Sequence, residues 1–274
     1  TYDEQTYTGA IHTNGATNFE GGTFDFQGGG TFTGDTSIRA TSLDFVHFAN
    51  TPVFDGVANF GAATTFTGTA TISGVDITFA DTLALGAGDS SFLASNDVTV
   101  TGQITGTGAD IDIQASNVTT LAAGANVGSI ETYYGGRTEI GGDVTLNGSS
   151  ANAFNNQVLI TAANVTIDAT SGTGAVTFAS TIDSASGSNH NLTVNANNAI
   201  TFGGDIGGDA LVGLSDAGGL GNFNTGGTGA VTFRNNGLGH SPLTAANRDL
   251  YFNYVAGLGS GATDVWDDLV GRNE

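Results

Sequence analysis

One triplet, apolar-Thr-apolar, returns along this chain at long, nearly constant intervals, and it restricts the possible folds more than any other feature. It stands as Ile77-Thr78-Phe79, Val98-Thr99-Val100, Val144-Thr145-Leu146, Val165-Thr166-Ile167, Val176-Thr177-Phe178, Leu192-Thr193-Val194, Ile200-Thr201-Phe202 and Val231-Thr232-Phe233, with Thr119 after Val118 as a degenerate copy. In extended backbone successive side chains leave opposite faces, so the two flanking residues share a core side and the central Thr takes the other. Thr, branched at Cβ, also suits a strand. Each triplet therefore reads as a short strand with one buried face.

The intervals say how the strands are joined. The steps from Thr78 to Thr99, from Thr99 to Thr119 and from Thr145 to Thr166 are nearly equal. A coil of about 20 residues repeats. Secondary strands near 104, 110–113 and 158–160 give each coil two or three strands, and the intervening Gly, Asn, Asp and Ser turn the chain without a helix. An antiparallel sandwich would instead show frequent two-residue hairpin turns; Asn147-Gly148 is one candidate. The long fixed return favours coils over hairpins.

The expected fold is all-β: a right-handed parallel β-helix (β-solenoid) with coils of about 20 residues, forming a single domain over 1–274. Handedness follows from the right-handed preference of parallel crossovers. About 13 coils at about 4.8 Å each would make a rod on the order of 60 Å long.

The ends depart from the repeat. Phe19, Phe24, Phe26, Phe32, Phe45, Phe48, Phe54, Phe60 and Phe66 suit a stacked interior column. The step from Thr201 to Thr232 is much longer than a regular coil, so 205–229 reads as a bulged loop or lateral excursion. Residues 263–270 place Val265, Trp266, Leu269 and Val270 on one helical side after a Thr263 or Asp264 cap, which predicts a short C-terminal helical lid. Residues 1–11 read as a strand able to pair with another copy. Tyr2, Tyr7 and Ile11 at one end, with Trp266 and Leu269 at the other, are the candidate assembly residues.

Charge narrows the partners. With 26 acidic residues against five Arg and no Lys, the formal charge is −21. Nucleic acids and anionic membranes require clustered cations and are not expected partners. No window approaches the roughly 20 apolar residues of a membrane span. The chain lacks Met, so Thr1 is expected to be a processed terminus left after removal of a leader, which points to secretion. It also lacks Cys, so stability rests on packing and backbone hydrogen bonds.

No catalytic machinery is read here. Carboxylate pairs of the kind a glycoside hydrolase needs occur as Asp110/Asp112, Asp205/Asp209 and Asp264/Asp267/Asp268. Asp is so abundant as a turn former and solubiliser that this bland role outweighs the catalytic one. A lyase would want a cationic base, and Arg137, beside Tyr133 and Tyr134, reads as solvated or stacked on tyrosine. His12, His47, His190 and His240 lack zinc-ligand spacing and read as surface residues. No cofactor is expected, calcium aside, for which Asp205, Asp209 and Asp216 in a Gly-rich segment are the candidates. The Thr-dense stretch 64–73 lacks the regular T-x-T rows of an ice-binding face, and its Thr residues read as solvent-facing strand residues.

The segments NLTVNANNAITFGGDIGG (191–208), VTFASTID (176–183) and YTGAI (7–11) resemble the filamentous-haemagglutinin-like secreted β-helix proteins, adhesins of the two-partner-secretion type. That resemblance implies a shaft of a cell-surface adhesin, with structural or adhesive work rather than catalysis. The function expected is an extracellular filament subunit, a homo-polymer growing head to tail by strand pairing at its ends, with host or environmental surfaces or carbohydrate as further contacts. Two alternatives stay open: a β-helix that binds or degrades polysaccharide along one face, and a shaft fragment of a giant adhesin.

Overall fold

The computed structural model describes residues 5–233 apart from 22–23, 29, 34–35, 41–44, 49–51, 55, 68, 134–135, 186–187, 189, 205, 207–222 and 229–230. Every strand pairing among these residues is parallel. The fold is an all-β parallel solenoid, as the triplets require.

The chain visits three sides in rotation. Gln5–Tyr7 opens the first side, Ile11–Asn14 the second and Thr17–Gly21 the third. The next turn lays Phe24–Phe26, Gly30–Thr33 and Thr36–Ala40 upon them. The third side is a nine-stranded sheet with one strand per turn, extended by an isolated bridge from Ile182 to Ile206. At about 4.8 Å between strands this ladder rises about 40 Å. The first three strands of the second side, Ile11–Asn14, Gly30–Thr33 and Pro52–Phe54, form a separate three-stranded sheet. Its later strands merge with the first side into a 17-stranded sheet, because Ile104–Ala115 and Ala125–Tyr133 each run from one side into the other without a break.

Register along the third side gives the length of each turn. Thr17, Thr36, Ala58, Ile77, Val98, Thr119, Thr138, Val158, Ile182 and Ile206 are successive partners. The turns are unequal: Thr17 to Thr36 and Thr119 to Thr138 are among the shortest, while Val158 to Ile182 and Ile182 to Ile206 are the longest. The neighbouring inward column is Ile38, Phe60, Phe79, Val100, Leu121, Ile140 and Ile160, all buried. Removing such side chains from water contributes about 1.5–3 kcal/mol apiece and drives the stack together. Aromatic residues pile in the same way. Phe60 stacks on Phe79 with centroids 4.7 Å apart, and Phe154, Phe178 and Phe202 form a second pile at 5.0 and 5.3 Å.

The structure corrects the triplet reading in three respects. Triplets do not all share one side: Thr78 and Thr99 lie on the third, Thr145 and Thr193 on the first, Thr177 and Thr201 on the second. Thr119 is not an outward centre. Val98 pairs with Thr119 and Thr99 with Thr120, so Thr119 faces the axis and is fully buried while Thr120 takes the outer position. Thr145 has Asp168, not Thr166, as its lateral neighbour, because that turn is longer than the spacing of the triplets. A one-residue change in turn length exchanges the two faces of a strand.

Phe24, Phe26, Phe32, Phe60 and Phe66 are buried in the interior, and Phe19 packs half-buried against them. The lengthened step near the end is real, since Ile200 pairs with Val231. Within it, 207–222 lies outside the described residues, as does the expected helical lid at 263–270.

Candidate functional site

Backbone direction alternates with side-chain direction in this stack. Inward residues aim N–H and C=O at the following turn: Thr36 donates to Val57 at 2.6 Å, Ala58 to Asp76 at 2.8 Å and Ile77 to Asp97 at 2.9 Å. Outward residues aim theirs at the preceding turn. The first row, Gln5–Tyr7, Ile11–Asn14 and Thr17–Gly21, has strand partners on one side only among the described residues. By this alternation the backbone groups of His12, Asn14, Asn18 and Glu20 point out of the end of the stack.

The same row carries incompletely covered apolar groups. Tyr7 is half-buried and stacks on Phe26 at 5.1 Å with rings 9° from parallel. Its hydroxyl donates to Gln5 Oε1 at 2.9 Å. Ile11 and Phe19 are also half-buried against the core, and Phe19 meets Phe24, Phe26 and Phe32 edge-on at 6.1, 5.7 and 5.9 Å. Of the predicted assembly residues, Tyr7 and Ile11 thus share one end face. Phe19 joins them, and its place in the Phe-rich run was the only sequence signal for it. Tyr2, Trp266 and Leu269 lie outside the described residues.

Along the flank, the second side gathers carboxylates. Asp89 pairs with Asp110 and Asp112 with Glu131 on successive turns. Asp110 is held by two hydroxyls: Ser129 Oγ donates to its Oδ1 and Ser150 Oγ to its Oδ2, each at 2.7 Å. Burial raises the Asp112 pKa above the usual carboxylate value, with further upward pressure from Asp89 and Asp110. Burial and then the Asp112 charge raise that of Glu131. The predicted pair Asp110/Asp112 therefore divides: Asp110 is tied to serines, while Asp112 lies beside Glu131. Sequence reasoning missed Glu131 because lateral neighbours, separated by a whole turn of chain, carry no local motif.

Other candidates serve the fold. At the corner leading into the third side, Asn96 Nδ2 donates to Asp76 Oδ1 at 2.7 Å, and Asn117 Nδ2 to Asp97 Oδ1 at 2.9 Å. These Asp residues are turn formers. Arg137 does not stand free: its Nε donates to Glu139 Oε1 on the same strand at 2.7 Å, forming an ion pair. His12 is exposed, and His190 Nδ1 lies 2.9 Å from the Ile160 carbonyl. His47 lies in a strand, whereas His240, Asp205, Asp209, Asp216 and Asp264/Asp267/Asp268 fall outside the described residues. Among the described residues no three acidic or imidazole groups converge as on a metal ion, and no helix is long and apolar enough to cross a membrane. A shallow depression of about 520 Å³ on the outer surface of the third side is lined by Asn18, Glu20, Ser37, Asn59, Gly61 and Ala80.

No protein-family model matches the chain, and comparison with curated proteins and with solved structures finds no match.

Proposed function

We propose that this chain is a structural or adhesive element of an extracellular assembly, an acidic β-solenoid rod that joins copies of itself head to tail by pairing strands at its ends. The observation that carries the reading is the first row of strands, where outward-aimed backbone groups sit beside the half-buried Tyr7, Ile11 and Phe19. Exposed strand edges recruit further strands.

Charge supports the same geometry. The whole chain carries −21, yet Glu20 is the sole acidic residue in the described part of the first row. Flank-to-flank contact meets strong repulsion, while the described part of the first row brings a single carboxylate to an end-on contact. A head-to-tail contact that does not close generates an open polymer. The resemblance of 176–208 to secreted adhesin β-helices supports a place at a cell surface or in a matrix.

Sedimentation velocity over a concentration series, with electron microscopy, tests this. Growth into fibres is expected, and a Tyr7→Asp, Ile11→Asp variant should stop growth while keeping its β-sheet circular dichroism. A wild-type chain that stays monomeric at high concentration and shows no fibres overturns the reading.

A second reading, polysaccharide binding along the flank, is favoured by Asp112 and Glu131 lying side by side on adjacent strands. It predicts retention of neutral or basic glycans that is lost in Asp112→Asn; an empty glycan screen removes it.

A further inference from the structure

Asn-Gly dipeptides can rearrange without any enzyme. The backbone N of Gly attacks Asn Cγ, forming an N–Cγ bond as the Cγ–Nδ2 bond breaks, and ammonia leaves carrying the proton shed by the Gly amide. Water then opens the cyclic imide at either carbonyl, yielding aspartate or isoaspartate. The reaction needs an accessible carboxamide and a Gly N–H not engaged elsewhere. The chain has three such dipeptides, at Asn14, Asn147 and Asn236, of which the last lies outside the described residues.

The two described sites differ in just these requirements. Asn14 ends a strand, and both it and Gly15 are exposed. Among the described residues neither the Asn14 carboxamide nor the Gly15 N–H makes a hydrogen bond. Gly15 has φ +114° and open space where a Cβ would stand, so the corner can swing toward the attacking geometry. Asn147 is restrained throughout. Its Nδ2 donates to Asn126 Oδ1 at 2.9 Å, its Oδ1 accepts from Gly108 N at 3.4 Å, and Gly148 N is committed to Gly128 O at 2.8 Å.

We propose that Asn14 is a site of spontaneous deamidation through a succinimide with Gly15, and that the folded stack withholds Asn147 from the same reaction. The product places a new carboxylate, and in part an isoaspartyl kink, in the first row of strands. If that row is the joining face, a consequence that rests on the assembly reading, ageing adds repulsion where the rod would accept its neighbour.

The test is to hold the folded protein in mildly alkaline buffer at body temperature, digest it with chymotrypsin and sequence the peptides by mass spectrometry. The peptide ending at Phe19 should gain about 1 Da, assigned by fragmentation to Asn14, and should score positive for isoaspartate. The peptide carrying Asn147 should change several-fold more slowly, and both should react together in denaturant. An Asn14 that stays intact in the folded protein while the denatured control reacts overturns the proposal, as does an Asn147 that reacts equally fast in the fold. Asn14→Asp separates the two readings. Undiminished fibre growth in that variant sinks the assembly consequence and leaves the deamidation chemistry to the mass spectra.

Discussion

Thr138 and Asn156, on consecutive turns, are joined inside the stack: the Thr138 hydroxyl donates to Asn156 Oδ1 at 2.7 Å, and both side chains are shut off from solvent. Thr132 donates to the same oxygen at 2.9 Å. This polar knot sits just before the longest turns measured along the third side, Val158 to Ile182 and Ile182 to Ile206. A stack of similar apolar triplets tolerates slippage; a carboxamide oxygen that must meet two hydroxyls from the preceding turn does not. Asn156→Leu should therefore strand two buried hydroxyls at about 1–3 kcal/mol each, offset in part by removal of the Asn156 Nδ2, which is itself buried without a partner. Adding Thr132→Val and Thr138→Val should recover most of that loss in urea unfolding. Failure of the triple variant to recover would mean that Asn156 acts through shape rather than through its hydrogen bonds.

The pile of Phe154, Phe178 and Phe202 makes a second prediction. Phe178 is the middle ring, with near-parallel partners at 5.0 and 5.3 Å, and it is fully buried. Phe178→Ala removes both contacts and leaves a hole that rigid turns above and below cannot close, so a cost of about 3–5 kcal/mol is expected. Phe178→Leu, which keeps most of the volume, should cost clearly less. Guanidinium midpoints of the two variants decide the matter, and equal losses would contradict the stacking account.

The period, the short one-sided strands and the corner chemistry were legible from residues 77–100 and 176–202, because apolar-Thr-apolar spacing and Gly/Asn turns are local properties. Lateral neighbours were not, since they depend on the length of each turn, which differs between Thr17 to Thr36 and Val158 to Ile182. Thr119 shows the consequence. Read by its position after Val118 it is an outer Thr; one residue of register makes it an inner one. The same blindness hid the contact of Thr132 with Asn156 and of Asp112 with Glu131, each pair a whole turn of chain apart.

The Asp112 and Glu131 column predicts an unusual pH response. Both groups bind protons more tightly in the folded chain than in the unfolded one, since burial and neighbouring charge raise their pKa values. The folded state thus gains stability from them as pH falls from neutral through the raised values, holds that gain in full below the ordinary carboxylate range, and loses it again as pH rises. Thermal unfolding should show a higher midpoint under mildly acidic conditions than at neutral pH. Asp112→Asn should raise stability at neutral pH by about 0.2–1 kcal/mol, the scale of a like-charge pair across strands, and flatten this part of the profile. An unchanged profile in the variant would remove the column as its source.

Two glycines with nearly equal positive φ should respond differently to alanine. Gly108 has φ +74° and nothing near the position of an added Cβ, whereas Gly124 has φ +75° with the Asp143 carbonyl oxygen in that position. Both substitutions incur left-handed strain of about 1–2 kcal/mol. Gly124→Ala must also push back Asp143, whose oxygen accepts the Ala125 N–H at 3.0 Å and ties two turns together. Overpacking of that kind adds about 1–3 kcal/mol. Gly124→Ala should consequently unfold at distinctly lower denaturant than Gly108→Ala. Matching midpoints would show that strain alone governs these corners and that the close approach of successive turns is relieved without cost.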